Sequence, residues 1–161
     1  MSMTIDCDAT DCEGLPDKAY VEKCRVYFDD LDAFGMLHAG RYYALVERGI
    51  TACVSRMGFQ LGDEDVFVVA REMKLTFGAP VRRIGEVELV FWMSHIGRSS
   101  ATFEFIVRSD EGEHARGYRS ITKVDPATGR SAQWTDAIRA VFSGELPSPA
   151  DAAVAATAAA G

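Results

Sequence analysis

The most constraining feature of this sequence is a segment in which an alternating strand pattern leads through an acidic turn into an amphipathic helix. The strand pattern covers residues 20–28, Asp30 and Asp32 lie where the strand would become a loop, and the helix pattern covers residues 41–57. A carboxylate held just before a helix N-terminus can attack a carbonyl carbon or activate water, while the free helix N–H groups stabilise the oxyanion that forms. The segment therefore indicates a strand–helix unit and a candidate catalytic site.

The helix predicted at residues 41–57 has one broad apolar face and one polar face. The apolar face recurs at helical spacing and consists of Tyr42, Val46, Gly49, Ile50, Cys53, Val54 and Met57. Gly58 follows directly and can end the helix. Glu47 falls at the margin of the apolar face, so its carboxylate is predicted to be partly buried.

Four further segments have the two-residue period of β-strands. They cover residues 67–77, 86–93, 101–108 and 114–124. Turn residues at 97–99 and 110–112 indicate hairpin-like connections, and a short helix is predicted at residues 135–142. One helix after the first strand, followed by consecutive antiparallel strands, predicts an α+β domain with the order β-α-β-β-β-β.

The chain of 161 residues suits one domain with a real core, and its two ends differ in composition from its middle. Residues 1–17 are acidic and poor in apolar side chains, which predicts a disordered tail. Residues 147–161 form a low-complexity, alanine-rich tail without an apolar stripe that could dock onto a fold. The folded domain is therefore predicted at residues 18–146, and neither tail is expected to carry the chemistry.

The formal net charge of −7 argues against nucleic acid and anionic membranes as partners, because both require a basic surface. No apolar run approaches the ~20 residues of a membrane span, and no signal peptide is visible, so a cytoplasmic location is expected. The four cysteines and three histidines have no metal-ligand spacing. We therefore expect free thiols, no metal site and no cofactor.

The acidic turn and the helix together resemble the hotdog-fold acyl-CoA thioesterases of the 4-hydroxybenzoyl-CoA thioesterase type. The residues that match the family motif without a gap are Asp30, Asp32, Gly35, Tyr42 and Glu47. The resemblance extends over about residues 20–146 and implies a hotdog fold, a curved antiparallel sheet wrapped around one long central helix. It implies a substrate that is an acyl- or aryl-CoA, or an acyl-carrier-protein thioester, with coenzyme A present only as part of the substrate.

The resemblance also implies roles at the helix N-terminus. Asp32 takes the position of the carboxylate that acts on the thioester carbonyl, as nucleophile or as general base, and the backbone N–H of Ala39 takes that of the oxyanion donor. The structural alternative for Asp32 is an Asx-type turn or a helix N-cap. Asp30 is expected to shape the turn.

Other candidate positions leave alternatives open. Glu47 could orient a water molecule or a partner side chain, or it could form a tertiary ion pair. His38 replaces the Tyr or Asn usual in the family, and it could relay protons, hold the acyl group, or be a surface residue without a role. Candidate contacts with the substrate or coenzyme A are Gly35, Tyr42, Arg82, Arg83, Arg98 and Ser99. Candidate apolar walls of an acyl pocket are Phe34, Met36, Phe59, Phe67 and Phe77.

The leading hypothesis is a homodimeric or homotetrameric thioesterase. An open sheet has edges that proteins cover or pair, and the sites of the resembled family form at subunit interfaces. The alternative is a catalytically inactive hotdog module that binds acyl-CoA. A dehydratase of the same fold is a third possibility, although those enzymes place a histidine and an acid differently. The Asp32 carboxylate distinguishes the first two, because a binding module does not need it.

Overall fold

The computed structural model describes residues 14–143, in which a five-stranded antiparallel sheet packs against one long helix. The strands are β1 (Tyr20–Val26), β2 (Val68–Phe77), β3 (Gly85–Ile96), β4 (Ser100–Ser109) and β5 (Gly112–Lys123), and the helices are α1 (Ala39–Arg56) and α2 (Asp136–Ser143). This arrangement confirms the predicted α+β hotdog fold. Residues 1–13 and 144–161 lie outside the described part, so the predictions for the two tails stay predictions. No helix of the described part is both long and apolar enough to cross a membrane.

The ends of the elements differ from the predicted ones by one to three residues, and two of these differences have clear local reasons. The first strand ends at Val26, because Phe28–Asp30 forms a 3-10 turn in which the Asp30 carboxylate accepts a hydrogen bond from the Tyr27 N–H at 2.9 Å. The long helix begins two residues earlier than expected, because His38 caps its N-terminus with a side-chain nitrogen. The predicted periods were right, and these two ends were set by side-chain hydrogen bonds to the backbone.

The strand order is β1-β3-β4-β5-β2, which leaves β1 and β2 at the two edges. Strand β2 pairs with β5 from Val68 opposite Lys123 to Phe77 opposite Ala115. Gly117 is required in this pair, because a Cβ atom there would overlap the carbonyl of Lys74. The outer edge of β2 is ten residues long and carries the exposed side chains of Val69 and Phe77.

The core lies between α1 and one face of the sheet. Its central side chains are fully or nearly fully buried and include Val26, Val46, Leu89, Phe91 and Phe105. Gly49 allows α1 to approach the sheet closely, because a Cβ atom there would lie 2.5 Å from Leu89 Cδ2 and 2.8 Å from Cys24 Sγ.

Helix α2 closes one end of the core. The ring of Phe142 packs edge-on against Phe103 at 5.5 Å between centroids, and Phe91 stacks on Tyr20 at 5.4 Å. Edge-to-face and offset stacked pairs at these distances stabilise a core beyond their buried area. The end of the core that α2 covers is therefore aromatic.

Candidate active site

The N-terminus of α1 leaves one backbone donor without a partner. The Gly40 N–H donates to Nδ1 of His38 at 3.0 Å, and the Arg41 N–H donates to the His38 carbonyl at 2.8 Å. The N–H of Ala39, the first helical residue, has no acceptor within residues 14–143. Because helix N-terminal N–H groups carry a partial positive charge, this donor can polarise a carbonyl group or stabilise an oxyanion.

The Asp32 carboxylate shapes the preceding loop with only one of its oxygens. Oδ1 accepts hydrogen bonds from the N–H groups of Phe34 at 2.8 Å and Met36 at 3.1 Å. Gly35 adopts φ 70°, a left-handed conformation that glycine adopts without strain and that closes this turn. No group in the described part of the chain donates to Oδ2 of Asp32. The second oxygen is therefore available to a ligand.

Asp30 and two backbone bonds fix the loop between β1 and α1. The buried Asp30 carboxylate receives the Tyr27 N–H and lies 3.7 Å from Arg41 Nε. The Asp30 carbonyl accepts from the His38 N–H at 3.0 Å, and the Leu37 N–H donates to Val81. Asp30 thus shapes the turn, and Asp32 is held next to the start of α1.

Asp32 and Ala39 line the same pocket, which we call the Asp32 pocket. It has a volume of about 210 Å³ and is lined by Asp32, Met36, Leu37, Ala39, Tyr42, Phe77, Gly78, Ala79, Pro80 and His114. Tyr42 forms a buried wall and packs edge-on against Phe77 at 5.2 Å. Burial raises the pKa of Tyr42, against the opposing effect of a backbone hydrogen bond with Val81, so its phenol stays protonated at neutral pH.

His114 had no role in the sequence analysis, but the structure places it in the wall of the Asp32 pocket with 1% of its surface exposed. Its Nδ1 lies 2.9 Å from the Ala79 carbonyl, and its Nε2 lies 2.8 Å from Ser109 Oγ. Because a carbonyl only accepts, we assign the proton to Nδ1 and the accepting role to Nε2. Both nitrogens are occupied, so His114 supports the wall of the pocket.

Glu47 lies on α1 eight residues after Ala39, which is ~12 Å along a helix axis. Its Oε1 accepts a hydrogen bond from Arg119 Nη2 at 2.9 Å, so the tertiary ion pair, one of the alternatives for Glu47, is present. The pair lies at a second pocket, which we call the α1–α2 pocket. Within one chain, Glu47 and Asp32 therefore line different pockets.

The α1–α2 pocket has a volume of about 300 Å³ and lies between α1, α2 and the sheet. Its apolar walls include Ile50, Val54, Phe59, Val68, Met93, Phe103, Trp134 and Phe142. Of the apolar candidates from the sequence, Phe59 lies here, Met36 and Phe77 line the Asp32 pocket, Phe67 lines neither, and Phe34 is 79% exposed.

Four of the candidate contacts with the substrate or coenzyme A lie outside both pockets, namely Arg82, Arg83, Arg98 and Ser99. Arg82 and Arg83 are exposed in the loop before β3, and Arg83 forms an ion pair with Asp110. Arg98 and Ser99 lie in the turn between β3 and β4, and the Ser99 carbonyl accepts from the Lys123 N–H at 2.8 Å. The structure thus brings Asp32, Gly35, Ala39 and Tyr42 together at one end of α1, and it places the arginines elsewhere on the surface.

The thiols and possible metal ligands of the described residues do not form a reactive group. Cys24 and Cys53 are free and buried, and burial raises the pKa of each to about 11. Thiols with such a pKa are protonated and unreactive at neutral pH. Between residues 14 and 143, no three His, Cys, Asp or Glu side chains are grouped so that they could hold a metal ion.

A family model described as the thioesterase superfamily matches residues 34–115, just over half of the chain. The matched segment runs from the acidic turn through α1 to the start of β5. It includes Gly35, Ala39 and Glu47, and it begins two residues after Asp32. A comparison with curated proteins found no match to the sequence.

Solved structures of thioesterases share the fold at low sequence identity. A 1,4-dihydroxy-2-naphthoyl-CoA thioesterase from Synechocystis is 10% identical, with a TM-score of 0.71 over 80% of this chain and 99% of that one. A DHNA-CoA thioesterase from Staphylococcus aureus is 12% identical, with a TM-score of 0.65 over 71% of this chain and 80% of the other. A predicted thioesterase from Bacillus stearothermophilus is 16% identical, with a TM-score of 0.71 over 81% and 98%.

Proposed function

Because this chain belongs to the thioesterase superfamily, we propose that it hydrolyses an acyl- or aryl-CoA, or an acyl-carrier-protein thioester, to a free acid and a thiol. One observation carries the proposal. Oδ2 of Asp32 and the N–H of Ala39, both without partners among the described residues, belong to residues that line one pocket. Such a carboxylate and such an oxyanion donor can together catalyse thioester hydrolysis. Coenzyme A takes part only as a portion of the substrate, and we propose no other cofactor.

The proposed reaction begins when the thioester oxygen accepts the Ala39 N–H at the positive end of the α1 dipole. In a general-base route, Asp32 takes a proton from water as the water oxygen attacks the carbonyl carbon, the C–S bond breaks, and the thiolate leaves with that proton. In a nucleophilic route, Oδ2 itself attacks the carbonyl carbon, and the C–S bond breaks to release the thiolate. Water then hydrolyses the resulting mixed anhydride, which restores the Asp32 carboxylate, releases the acid and supplies a proton to the thiolate. Both routes require the unpaired oxygen of Asp32.

The remaining candidate residues receive supporting roles in this proposal. His38 positions the Ala39 N–H by capping the helix, and Gly35 and Tyr42 shape the pocket. Arg82 and Arg98 form no ion pair with any residue from 14 to 143, so each guanidinium is free to bind a phosphate of coenzyme A. Arg83 and Ser99 adjoin them as secondary contacts. Glu47 contributes to the proposed function from the α1–α2 pocket, where it pairs with Arg119.

We propose that the active form is a homodimer, or a homotetramer made of such dimers, joined along the β2 edge. Phe77 at one end of β2 lines the Asp32 pocket, and Val68 at the other end lines the α1–α2 pocket. A two-fold antiparallel pairing centred on Met73, with Arg71 as the unpaired bulge residue, sets Phe77 opposite Val68 of the partner subunit. The pairing covers an exposed edge and joins the two pockets across the interface. Light scattering after size exclusion should give two or four chain masses, and a fully active monomer would contradict this assembly.

Hydrolysis of a panel of acyl-CoA thioesters, followed by detection of free thiol, tests the proposed function. Asp32→Asn keeps an oxygen for the two turn N–H groups but removes the base, so turnover should fall by ~100- to ~10,000-fold with little change in melting temperature. Asp29→Asn, which alters an exposed neighbouring carboxylate, is the matched control and should retain turnover. If Asp32→Asn hydrolyses the best substrate as fast as the original protein, Asp32 only shapes the turn. Binding of acyl-CoA without any thiol release would instead identify a binding module.

A further inference from the structure

The α1–α2 pocket contains one buried cation in apolar surroundings. Arg119 is 5% exposed and lines the pocket together with aromatic and aliphatic side chains. Its Nη2 donates to Glu47, but its Nε has no hydrogen-bond partner in the described part of the chain. Buried polar groups are almost always hydrogen-bonded, so an unpaired guanidinium N–H in a pocket wall needs an explanation.

A structural ion pair explains only part of this arrangement. The Glu47 side chain is 45% exposed and could be solvated without a partner, whereas Arg119 is buried on the inner face of the sheet between Gly117 and Ile121. An apolar residue would suit that position better. The ion pair through Nη2 compensates the charge of Arg119, but the Nε–H remains a buried donor without a partner among the described residues.

We propose that the α1–α2 pocket binds the acyl group of the substrate and that Arg119 recognises a neutral oxygen atom, a hydroxyl or a keto group, on that acyl group. The proposal rests on the thioesterase function proposed above. The neighbouring Glu47 carboxylate neutralises the guanidinium and would repel a second carboxylate, so the recognised oxygen is uncharged. A hydroxyl at this place could also donate to Glu47.

The volume and the lining of the pocket set the size of the acyl group. An apolar cavity of ~150 Å³ holds one benzene molecule, so about 300 Å³ accommodates roughly twice as many heavy atoms. This is about twelve heavy atoms, which leaves room for a medium-length chain such as an octanoyl group or for a bicyclic aryl group. Phe103, Trp134 and Phe142 supply the apolar contacts for its far end.

The acyl group reaches this pocket across the proposed β2 pairing. Phe77 borders the Asp32 pocket of one subunit and then lies beside Val68, at the α1–α2 pocket of its partner. A thioester held at Asp32 could therefore extend its acyl chain into the neighbouring subunit. In the free protein, the Arg119 Nε–H is buried and has no partner in the described part of the chain. An alkyl chain would leave this donor unpaired, whereas an oxygenated chain that reaches it would supply the missing acceptor.

The test compares octanoyl-CoA with three hydroxylated derivatives, which carry the hydroxyl at carbon 3, 5 or 7 and are isomers of one another. The best hydroxylated substrate should exceed octanoyl-CoA in kcat/KM by about tenfold, the effect of one satisfied buried donor. Arg119→Lys keeps a cation for Glu47 but removes the Nε–H, so this ratio should fall to about one. Arg48→Lys, on the exposed side of α1, is the matched control and should keep the ratio. A merely structural role of Arg119 would lower kcat/KM for both substrates and leave the ratio unchanged.

Calorimetric binding of the same four thioesters to Asp32→Asn separates this proposal from the function on which it rests. Tighter binding of a hydroxylated isomer that disappears in the Asp32→Asn/Arg119→Lys double variant supports the pocket even if no thioester is hydrolysed. Hydrolysis of all four thioesters without preference, or with a preference that survives Arg119→Lys, overturns the inference and leaves the thioesterase function standing. Equal affinities for all four compounds in calorimetry would also overturn it.

Discussion

The replacement Lys123→Met should destabilise the fold strongly, because it breaks a buried ion pair that joins three segments. Lys123 is 2% exposed, and its Nζ lies 2.7 Å from Oδ1 of Asp65, which is itself buried. Asp65 also accepts hydrogen bonds from the N–H and the hydroxyl of Thr135. The network connects the end of β5, the 3-10 turn Glu64–Val66 and the segment that leads into α2.

The expected loss follows from what remains after the substitution. Removing one partner of a buried pair costs ~3–5 kcal/mol, because the other charge stays buried without compensation. The two bonds from Thr135 persist and solvate part of the Asp65 charge, so the lower end, ~3 kcal/mol, applies here. For a domain of this size such a loss corresponds to a melting temperature lower by roughly 10 °C.

The pH dependence gives a second criterion. Burial by itself would raise the pKa of Asp65, but hydrogen bonds from Lys123 and Thr135 outweigh it and hold the pKa below its usual value. A carboxylate whose pKa is lowered in the folded state stabilises the fold fully at pH values above its unfolded-state pKa, ~3.9. This stabilisation is lost as the pH falls through the folded-state pKa. Burial would lower the pKa of Lys123, but Asp65 and Glu64 raise it overall, so its contribution is lost only at strongly alkaline pH. The deficit of Lys123→Met should be constant between about pH 5 and 9 and should shrink in acid.

Urea unfolding at several pH values measures this deficit. The matched control is Lys23→Met, which removes a surface ion pair with Glu86 whose side chains are 72% and 60% exposed, and which should cost at most ~1 kcal/mol. Adding Asp65→Asn to Lys123→Met should recover part of the loss, since the uncompensated charge disappears. A Lys123→Met deficit no larger than that of the control, or a double variant less stable than the single one, would refute the reasoning.

Substitutions at three further positions probe the loop and helix that carry the candidate site. His38→Ala should lower the free energy of unfolding by ~1 kcal/mol and reduce kcat, whereas His38→Asn, which can also accept the Gly40 N–H, should retain both in thermal melts and thioester assays. Gly49→Ala should cost ~1–3 kcal/mol in urea unfolding, since the new Cβ would meet Leu89 and Cys24 and push α1 from the sheet. Gly35→Ala should lower kcat strongly and the free energy of unfolding only a little, because alanine disfavours a φ of 70° and would shift the loop that orients Asp32. A kcat equal to that of the original protein would contradict this.

The sequence predicted the elements well because their signals are local. The strand period and the helix period are properties of neighbouring residues, so β3, β4 and α1 follow from them directly. The errors arose at the ends of elements, and at two of these ends a side chain bonds to the backbone. His38 is not among the usual N-cap residues, and the 3-10 turn after Val26 depends on a hydrogen bond from Tyr27 to Asp30.

The partners of the site residues could not be predicted, because they are distant in sequence. Arg119 lies 72 residues after Glu47, and His114 lies 35 residues after the carbonyl that fixes its tautomer. A two-residue period shows which residues share a face but not what they contact. One signal was present, since Arg119 and Lys123 occupy positions of β5 that alternate with Ile121 on its buried face. Charged residues at inward positions indicate a buried partner or a ligand.

The two interpretations of Asp32 need not exclude each other, because they use different oxygens. Oδ1 holds the turn through the N–H groups of Phe34 and Met36, and this fixes the plane of the carboxylate next to the start of α1. A carboxylate fixed in this way loses little further freedom when its second oxygen meets a substrate or a water molecule. The turn hydrogen bonds that suggest a structural role would therefore also preorganise Oδ2. For this reason the charge of Asp32 and the geometry of its loop have to be perturbed separately, the first by Asp32→Asn and the second by Gly35→Ala.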